Sequence, residues 1–289
     1  MKVLILGVDG MIGHKIAQSL ISNFHVVGST RKNINLKKLS LDGLQIFQKD
    51  FLKDDSSSFF DKIQADVIIN CIGITTRRGI SENISNSEFI NQQFPYEIEN
   101  WVINNKKRFI HFSTDCVFSG KKGNYLDNDI PDADDLYGKT KGKGEINSNA
   151  TITIRSSMIG REVYNHTELF EWLYSMSNSS IEGYSNVMYS GVTTVWMGKV
   201  INKLLSENII LNGIYNVASK PISKYELLSK LSNAFNLNVN IIPNPNIKSN
   251  KVLISKKFTE ITGINPPIWN DLIVDFKADS DKFSIIYKS

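Results

Sequence analysis

The sequence predicts an α/β protein: a doubly wound parallel sheet with a smaller, less regular α/β cap in the C-terminal half. Three observations predict it. Short β-branched runs alternate with helix-period stretches through the first 160 residues, the pattern of a parallel sheet covered on both faces. A glycine-rich turn follows the first run, and after Ser156 the alternation gives way to weaker patterning.

The predicted strands are Lys2–Leu6, His25–Gly28, Asp66–Cys71, Phe109–Ser113 and Ile152–Arg155, with a further one ending before Asp50. Between them, Ile12–Ser22, Ser56–Ile63 and Glu88–Asn104 repeat apolar residues at three and four, as helices do. Another helix is expected from Asp134 through Glu145. Right-handed crossovers between such units wind the sheet both ways.

Beyond residue 160, Thr167–Ser177, Thr194–Leu205 and Ser223–Phe235 read as helices and Gly213–Ala218 as a short strand. The Ser/Gly/Tyr-rich stretch between the first two of these, with Tyr184–Thr193, is expected to be irregular. The tail from Asn236 is rich in Asn, Pro and Lys and shows weak periodicity. The expected division is a parallel-sheet domain over 1–160, rejoined by 190–218, and a cap formed by 161–189 and 219–289.

Composition narrows the function classes. The 289 residues carry 33 basic and 29 acidic side chains, a net charge of +4 spread along the chain. That balance supplies no nucleic-acid footprint, yet would not repel a phosphate-bearing ligand. No apolar run approaches the length of a membrane span, and Gly7, Asp9 and Gly10 interrupt the apolar start too early for a signal peptide. Cys71 and Cys116 lack CxxC spacing and read as reduced thiols of a cytoplasmic protein; the four histidines lack ligand spacing, so no metal site is expected.

The strand Lys2–Leu6 runs directly into Gly7-Val8-Asp9-Gly10-Met11-Ile12-Gly13 and then a helix. Glycines in that position permit a tight turn and close backbone approach to a pyrophosphate, while the helix N-terminus offers N–H groups and partial positive charge. Gly7, Gly10, Met11, Ile12 and Gly13 are therefore candidate cofactor contacts. The second strand ends in Gly28-Ser29-Thr30-Arg31-Lys32, without the acidic residue that would hold the ribose hydroxyls of NAD. The Ser29 and Thr30 hydroxyls with Arg31 and Lys32 suit a 2′-phosphate, so NADP(H) is preferred and NAD(H) is the second choice. Asp50 could accept from the adenine amino group, and Phe51 adjoins it.

Two more strand ends carry candidates. Asn70-Cys71-Ile72-Gly73 closes one, placing Cys71, Ile72 and Gly73 beside the cofactor. Ser113-Thr114-Asp115 closes the next, at the carboxyl edge where open α/β sheets bind ligands. Tyr137 and Lys141 follow, four apart on one helix face, where an ammonium beside the phenol would favour its ionised form.

In order and spacing, these segments resemble the extended short-chain dehydrogenases/reductases. Within that group, the run Ser113–Gly120, the pair Tyr137 and Lys141 with Gly144-Glu145, Ile154–Gly160, and Asn216-Val217-Ala218 with Pro221-Ile222-Ser223 resemble the dTDP-4-dehydrorhamnose reductase family. The resemblance reaches to about residue 235 and implies a Rossmann-type domain with a substrate-binding cap. It implies NAD(P)H-dependent reduction of the 4-keto group of a nucleotide-linked 6-deoxyhexose, for surface polysaccharide synthesis, and a homodimer.

By position, Thr114, Tyr137 and Lys141 would be catalytic, with Ser113, Tyr137 and Lys141 also touching cofactor. Thr114, Asp115 and Met158 would meet the sugar. Met158 and Cys116 stand where relatives place a larger aromatic and a tyrosine. The diphosphate of the substrate would draw on Arg161, Lys121, Lys122, Arg77 or Arg78. An epimerase on the same scaffold and a non-catalytic NADP-binding subunit are the alternatives. Thr114-Asp115-Cys116 lacks the Asp-Glu pair that drives elimination in the related dehydratases.

Overall fold

The computed structural model describes residues 1–32, 39, 41, 43–75 and 84–287. The chain opens with β1 (Lys2–Leu6), α1 (Gly13–Leu20), β2 (His25–Thr30) and β3 (Gln45–Gln48). Next come α2 (Ser56–Ile63), β4 (Val67–Asn70), α3 (Ile84–Glu88), a π-helical turn (Phe89–Gln93), α4 (Phe94–Asn104) and β5 (Arg108–Ser113). Then follow α5 (Leu136–Lys143), β6 (Thr151–Arg155), β7 (Met158–Ile159), α6 (Leu169–Ser175) and β8 (Ser180–Tyr189). The rest comprises β9 (Val192–Thr193), α7 (Thr194–Ser206), β10 (Gly213–Asn216), β11 (Ile222–Ser223), α8 (Lys224–Ala234) and β12 (Asn240–Asn250). Two helices close the chain, α9 (Lys256–Thr262) and α10 (Trp269–Lys282).

The main sheet is parallel throughout, in the order β10-β6-β5-β4-β1-β2-β3. Val3, Leu4, Ile5 and Leu6 are all fully buried, as a central parallel strand covered on both faces requires. One face packs on α1, α7 and α10 through residues such as Ile16, Val200 and Phe276. The other packs on α2 and α4 through Phe59, Phe60, Ile98 and Val102. Strand order reverses between β1 and β4, so a crevice opens beyond Leu6 and Asn70, where such folds bind ligands.

Gly213–Asn216 pairs in parallel with β6 and forms one edge of the main sheet. Three elements differ from expectation. The helix expected over Glu88–Asn104 is interrupted by the π-turn. Pro95 has no N–H to give the Asn91 carbonyl, and the Phe94 N–H reaches back to the Phe89 carbonyl. The supposedly irregular stretch is β8, a ten-residue strand at the centre of a second sheet, β11-β8-β12. The Asn- and Pro-rich tail supplies the edge strand β12, where Pro243 and Pro245 are tolerated because edge N–H groups need no partner. It also supplies α10, which buries Trp269, Leu272, Ile273 and Phe276. No described helix is long and apolar enough to cross a membrane.

Candidate active site

The glycine turn is built by backbone constraints. Gly7 has φ +76°, and its N–H and that of Val8 both donate to the Ser29 carbonyl. A Cβ on Gly13 would stand 2.1 Å from the Gly7 carbonyl oxygen, so α1 can start this close to β1 only with glycine there. Asn70 shapes the neighbouring strand end by accepting from the Ile72 N–H at 3.0 Å.

Between these turns lies a cleft of about 440 Å³. Of the predicted cofactor residues, Gly7, Gly10, Thr30, Arg31, Asp50, Phe51, Cys71, Ile72 and Gly73 line it. Ser29 and Lys32, expected with Thr30 and Arg31 at a 2′-phosphate, line it too; Lys49, Ile74, Asn165 and Thr167 also line it and were not foreseen as contacts. Lys49 had a signal, since it stands one residue before Asp50. Asn165 and Thr167 had none, because they arrive from the segment after β7.

Met11, Ile12 and Gly13 do not border this cleft. Ile12 packs against the core, and a Cβ on Gly160 would come within 3.1 Å of Met11 Cγ. Their contribution is the backbone of the α1 N-terminus. Asp50 accepts from the Leu52 N–H at 3.3 Å, which shapes its own turn. Phe51 is 4% exposed and stacks near Phe94.

The chemistry-bearing side chains gather beyond β5. Thr114 caps a single 3₁₀ turn, accepting from the Cys116 N–H at 3.1 Å and donating to Asp115 Oδ1 at 3.2 Å. Asp135 caps α5 by accepting from the Gly138 N–H, which seats Tyr137 in the first helical turn. Burial, with Cys116 and Glu168 nearby, pushes the Tyr137 phenol above its ordinary value. The Thr114 hydroxyl, within hydrogen-bond reach of that phenol, opposes the rise.

Lys141 departs from the expected arrangement. Its Nζ donates to the Phe112 carbonyl at 2.6 Å, and burial lowers it to about 8 despite Glu145 and Cys71. The phenol is thus raised by burial, the opposite direction to a lysine-lowered tyrosine. Ser113 also departs from expectation. Its hydroxyl donates to Glu145 Oε1 at 2.6 Å, and Glu145 is held by Arg155 Nε and Nη2 at 2.8 and 2.7 Å. Ser113 therefore positions the strand end through a buried ion pair instead of facing the cofactor cleft.

Met158 is half-buried and packs against the core cluster that includes Tyr189 and Val192. The basic residues expected at the substrate diphosphate have other partners. Arg161 is bound to Glu171 at 2.7 Å and to Ser280, Lys121 pairs with Asp134, and Lys122 pairs with Asp129. Arg77 and Arg78 lie outside the described residues.

A Rossmann-type sheet whose first turn is glycine-lined, with Thr114, Tyr137 and Lys141 at the carboxyl edge, defines an extended short-chain dehydrogenase/reductase. The family model described as RmlD substrate binding domain matches residues 1–167, and the chain belongs to that family. A dTDP-4-dehydrorhamnose reductase of Aggregatibacter actinomycetemcomitans is 26% identical over 236 residues, covering 78% of this chain and 76% of the relative. The spore coat polysaccharide biosynthesis protein SpsK of Bacillus subtilis is 23% identical over 291 residues, covering 95% and 96%. In structure, the chain is similar to a dTDP-4-dehydrorhamnose reductase from Bacillus anthracis in complex with NADP. The TM-score is 0.76 at 18% identity, with 96% of this chain and 99% of the other covered.

Proposed function

We propose that this chain reduces the 4-keto group of a nucleotide-linked 6-deoxyhexose, using NADPH in preference to NADH. The observation that carries the reading is the Thr114 hydroxyl within reach of the Tyr137 phenol past the end of β5, where Lys141 of the same helix acts on Cys71 in the lining of the glycine-lined cleft. The cleft suits a dinucleotide. Its glycine turn leaves no room for a Cβ at Gly13, and Ser29 Oγ is buried in it without a hydrogen-bond partner among the described residues.

When bound, the nicotinamide supplies the hydride. The N-terminus of α1 would face the pyrophosphate, and Arg31, Lys32 and Lys49 would surround a 2′-phosphate. Because burial holds the Tyr137 phenol protonated at neutral pH, its O–H bond breaks only as the carbonyl oxygen gains charge. The proton passes to that oxygen and yields the alcohol. Turned from Asp115 Oδ1, to which it donates at 3.2 Å, the Thr114 hydroxyl would donate to the oxygen where the charge develops. Lys141, charged below about 8 and close to Cys71 of the cleft, would supply positive charge at this strand end and a donor for ribose hydroxyls. We take residues 161–189 and 219–289 as the substrate cap. A cytoplasmic location and a homodimer accompany this reading and rest on the family resemblance.

The test follows NADPH absorbance with a panel of 4-keto-6-deoxy sugar nucleotides, for the wild type and Tyr137→Phe. Sugar-dependent oxidation that collapses in the variant supports the reading. No oxidation with any sugar, despite tight NADPH binding, would overturn it in favour of an epimerase or a binding subunit.

A further inference from the structure

Part of the cofactor cleft is not built by the strand ends of the main sheet. Asn165 and Thr167, from the segment between β7 and α6, line it together with Gly7, Asp9 and Gly10 of the glycine turn. The segment leaves β7 against the start of α1, where a Cβ on Gly160 would stand 3.1 Å from Met11 Cγ. It reaches the cleft at Asn165, five residues later.

Two buried carboxylates fasten this segment into a tight loop. Glu162 Oε2 accepts from the Thr167 and Glu168 N–H groups at 2.6 and 2.7 Å. Glu171 Oε1 accepts from the Glu162 N–H at 2.9 Å and from Arg161 Nε at 2.7 Å. Between these fastenings Asn165 and His166 both take left-handed backbone, with φ +74° and +52°. Such backbone costs energy in residues other than glycine and persists where the surroundings over-determine it, as they do at ligand clamps. The fastenings also reach the glycine turn. The Arg161 guanidinium lies 4.8 Å from the centroid of the Tyr287 ring, and His14 bridges the Tyr287 hydroxyl and the Gly10 carbonyl. The loop is thus registered against the turn whose backbone would meet a pyrophosphate.

The charges of the lining leave a role for this loop. Arg31, Lys32 and Lys49 follow β2 and β3, at the end assigned to a 2′-phosphate, while the glycine turn contributes the carboxylate Asp9. The turn brings no cation of its own to a pyrophosphate, which therefore depends there on neutral donors. The N–H groups at the start of α1 are one such set. We infer that the 162–168 loop supplies another and clamps the dinucleotide, the Asn165 amide donating to the pyrophosphate held at the glycine turn. This assignment rests on the reading that the cleft holds NADPH or NADH. It makes a loop of the cap part of the cofactor site before any sugar arrives.

Fluorescence titration with NADPH and with NADH, on the wild type, Asn165→Gly and Asn165→Asp, tests the clamp without turnover. Glycine keeps the left-handed backbone and removes the amide; aspartate also tolerates that backbone and replaces the donor with a negative charge. Asn165→Gly should weaken both cofactors about tenfold and Asn165→Asp about a hundredfold, with the preference between NADPH and NADH unchanged. The affinity for 2′-AMP, which has the 2′-phosphate and no pyrophosphate, should be equal in all three proteins when read by displacement of NADPH. NADPH binding by either variant within about threefold of the wild type overturns the clamp and leaves the dinucleotide reading standing. A loss confined to NADPH, or a weakened 2′-AMP, places Asn165 at the adenosine end and overturns the clamp as well. If the wild type binds neither dinucleotide, the cofactor reading falls and the clamp falls with it. If the expected losses appear but no keto sugar is reduced, the reductase reading falls and the clamp stands.

Discussion

His14 Nε2 lies 3.1 Å from the Tyr287 hydroxyl, joining the glycine turn to the end of the chain. The other ring nitrogen, Nδ1, meets the Gly10 carbonyl at 2.8 Å. With that carbonyl as acceptor, Nδ1 carries the proton and Nε2 accepts from Tyr287, so the imidazole is neutral. Next to it, Lys15 pairs with Asp279 of α10 at 2.6 Å.

Burial, with Lys15 adding to it, lowers His14 from 6.5 to about 3. Between those values the unfolded chain binds a proton that the folded chain refuses. Stability therefore falls as pH drops below 6.5, by about 1.4 kcal/mol per pH unit until pH nears 3. His14→Gln should flatten this acid limb. Urea midpoints from pH 7 to pH 4 measure it, and equal slopes for the two proteins would rule the linkage out.

The main sheet was legible in sequence because its strands are apolar throughout and stand between amphipathic helices. Val67–Asn70 is buried on both faces, and Ser56–Ile63 carries its own cap, Asp55. The second sheet was not legible. β8 alternates burial only weakly, and its partner β12 lies some 60 residues downstream, so the pairing is a tertiary fact. α10 did carry a signal in Trp269, Leu272, Ile273 and Phe276, at helical spacing. Spacing put Tyr137 and Lys141 on one helix, as α5 has them, but Lys141's bond to the Phe112 carbonyl depends on how α5 lies on β5.

Gly13→Ala should break the cofactor turn. The new methyl meets the Gly7 carbonyl oxygen and carbon, which belong to rigid backbone and cannot swing aside. The expected cost is about 1–3 kcal/mol of stability from overpacking. NADPH affinity should also fall at least tenfold, as read by fluorescence titration. Wild-type affinity in a fully folded variant would show that the turn relaxes without cost.

Arg31 and Lys49 line the same end of the cleft, with the Lys49 N–H tied to the Thr30 carbonyl at 2.8 Å. A charge-assisted hydrogen bond to a 2′-phosphate is worth about 1.5–3 kcal/mol, or roughly 10- to 100-fold in affinity. Arg31→Ala and Lys49→Ala should each raise KM for NADPH toward that range and leave KM for NADH nearly unchanged. Parallel losses with both cofactors would place these side chains away from the 2′-phosphate.

Glu145 and Arg155 form a buried pair, each side chain at most 3% exposed, with Ser113 as a third member. Arg155→Met leaves a buried carboxylate without its cation and should cost about 3–5 kcal/mol in urea unfolding. Adding Glu145→Leu removes the stranded charge, so the double variant should be more stable than Arg155→Met alone. Additive losses would mean that the pair's packing outweighs its charge.

Lys141 gives a pH dependence in which activity and stability move in opposite directions. Burial lowers its ammonium from 10.5 to about 8. Above 8 the folded protein loses the ammonium charge at the end of β5, near Cys71 of the cofactor cleft, so kcat/KM should decline on the alkaline side, up to tenfold per pH unit. Between 8 and 10.5 the unfolded chain still holds the proton that the folded chain has released. The stability contribution of Lys141 therefore rises with pH across that window. Lys141→Arg keeps its charge and should shift the alkaline limb of any remaining activity upward. Lys141→Met should remove this rise from the urea midpoints measured between pH 8 and 10. An activity profile flat from pH 7 to 10 in the wild type would show that the charge on Lys141 has no part in proton transfer.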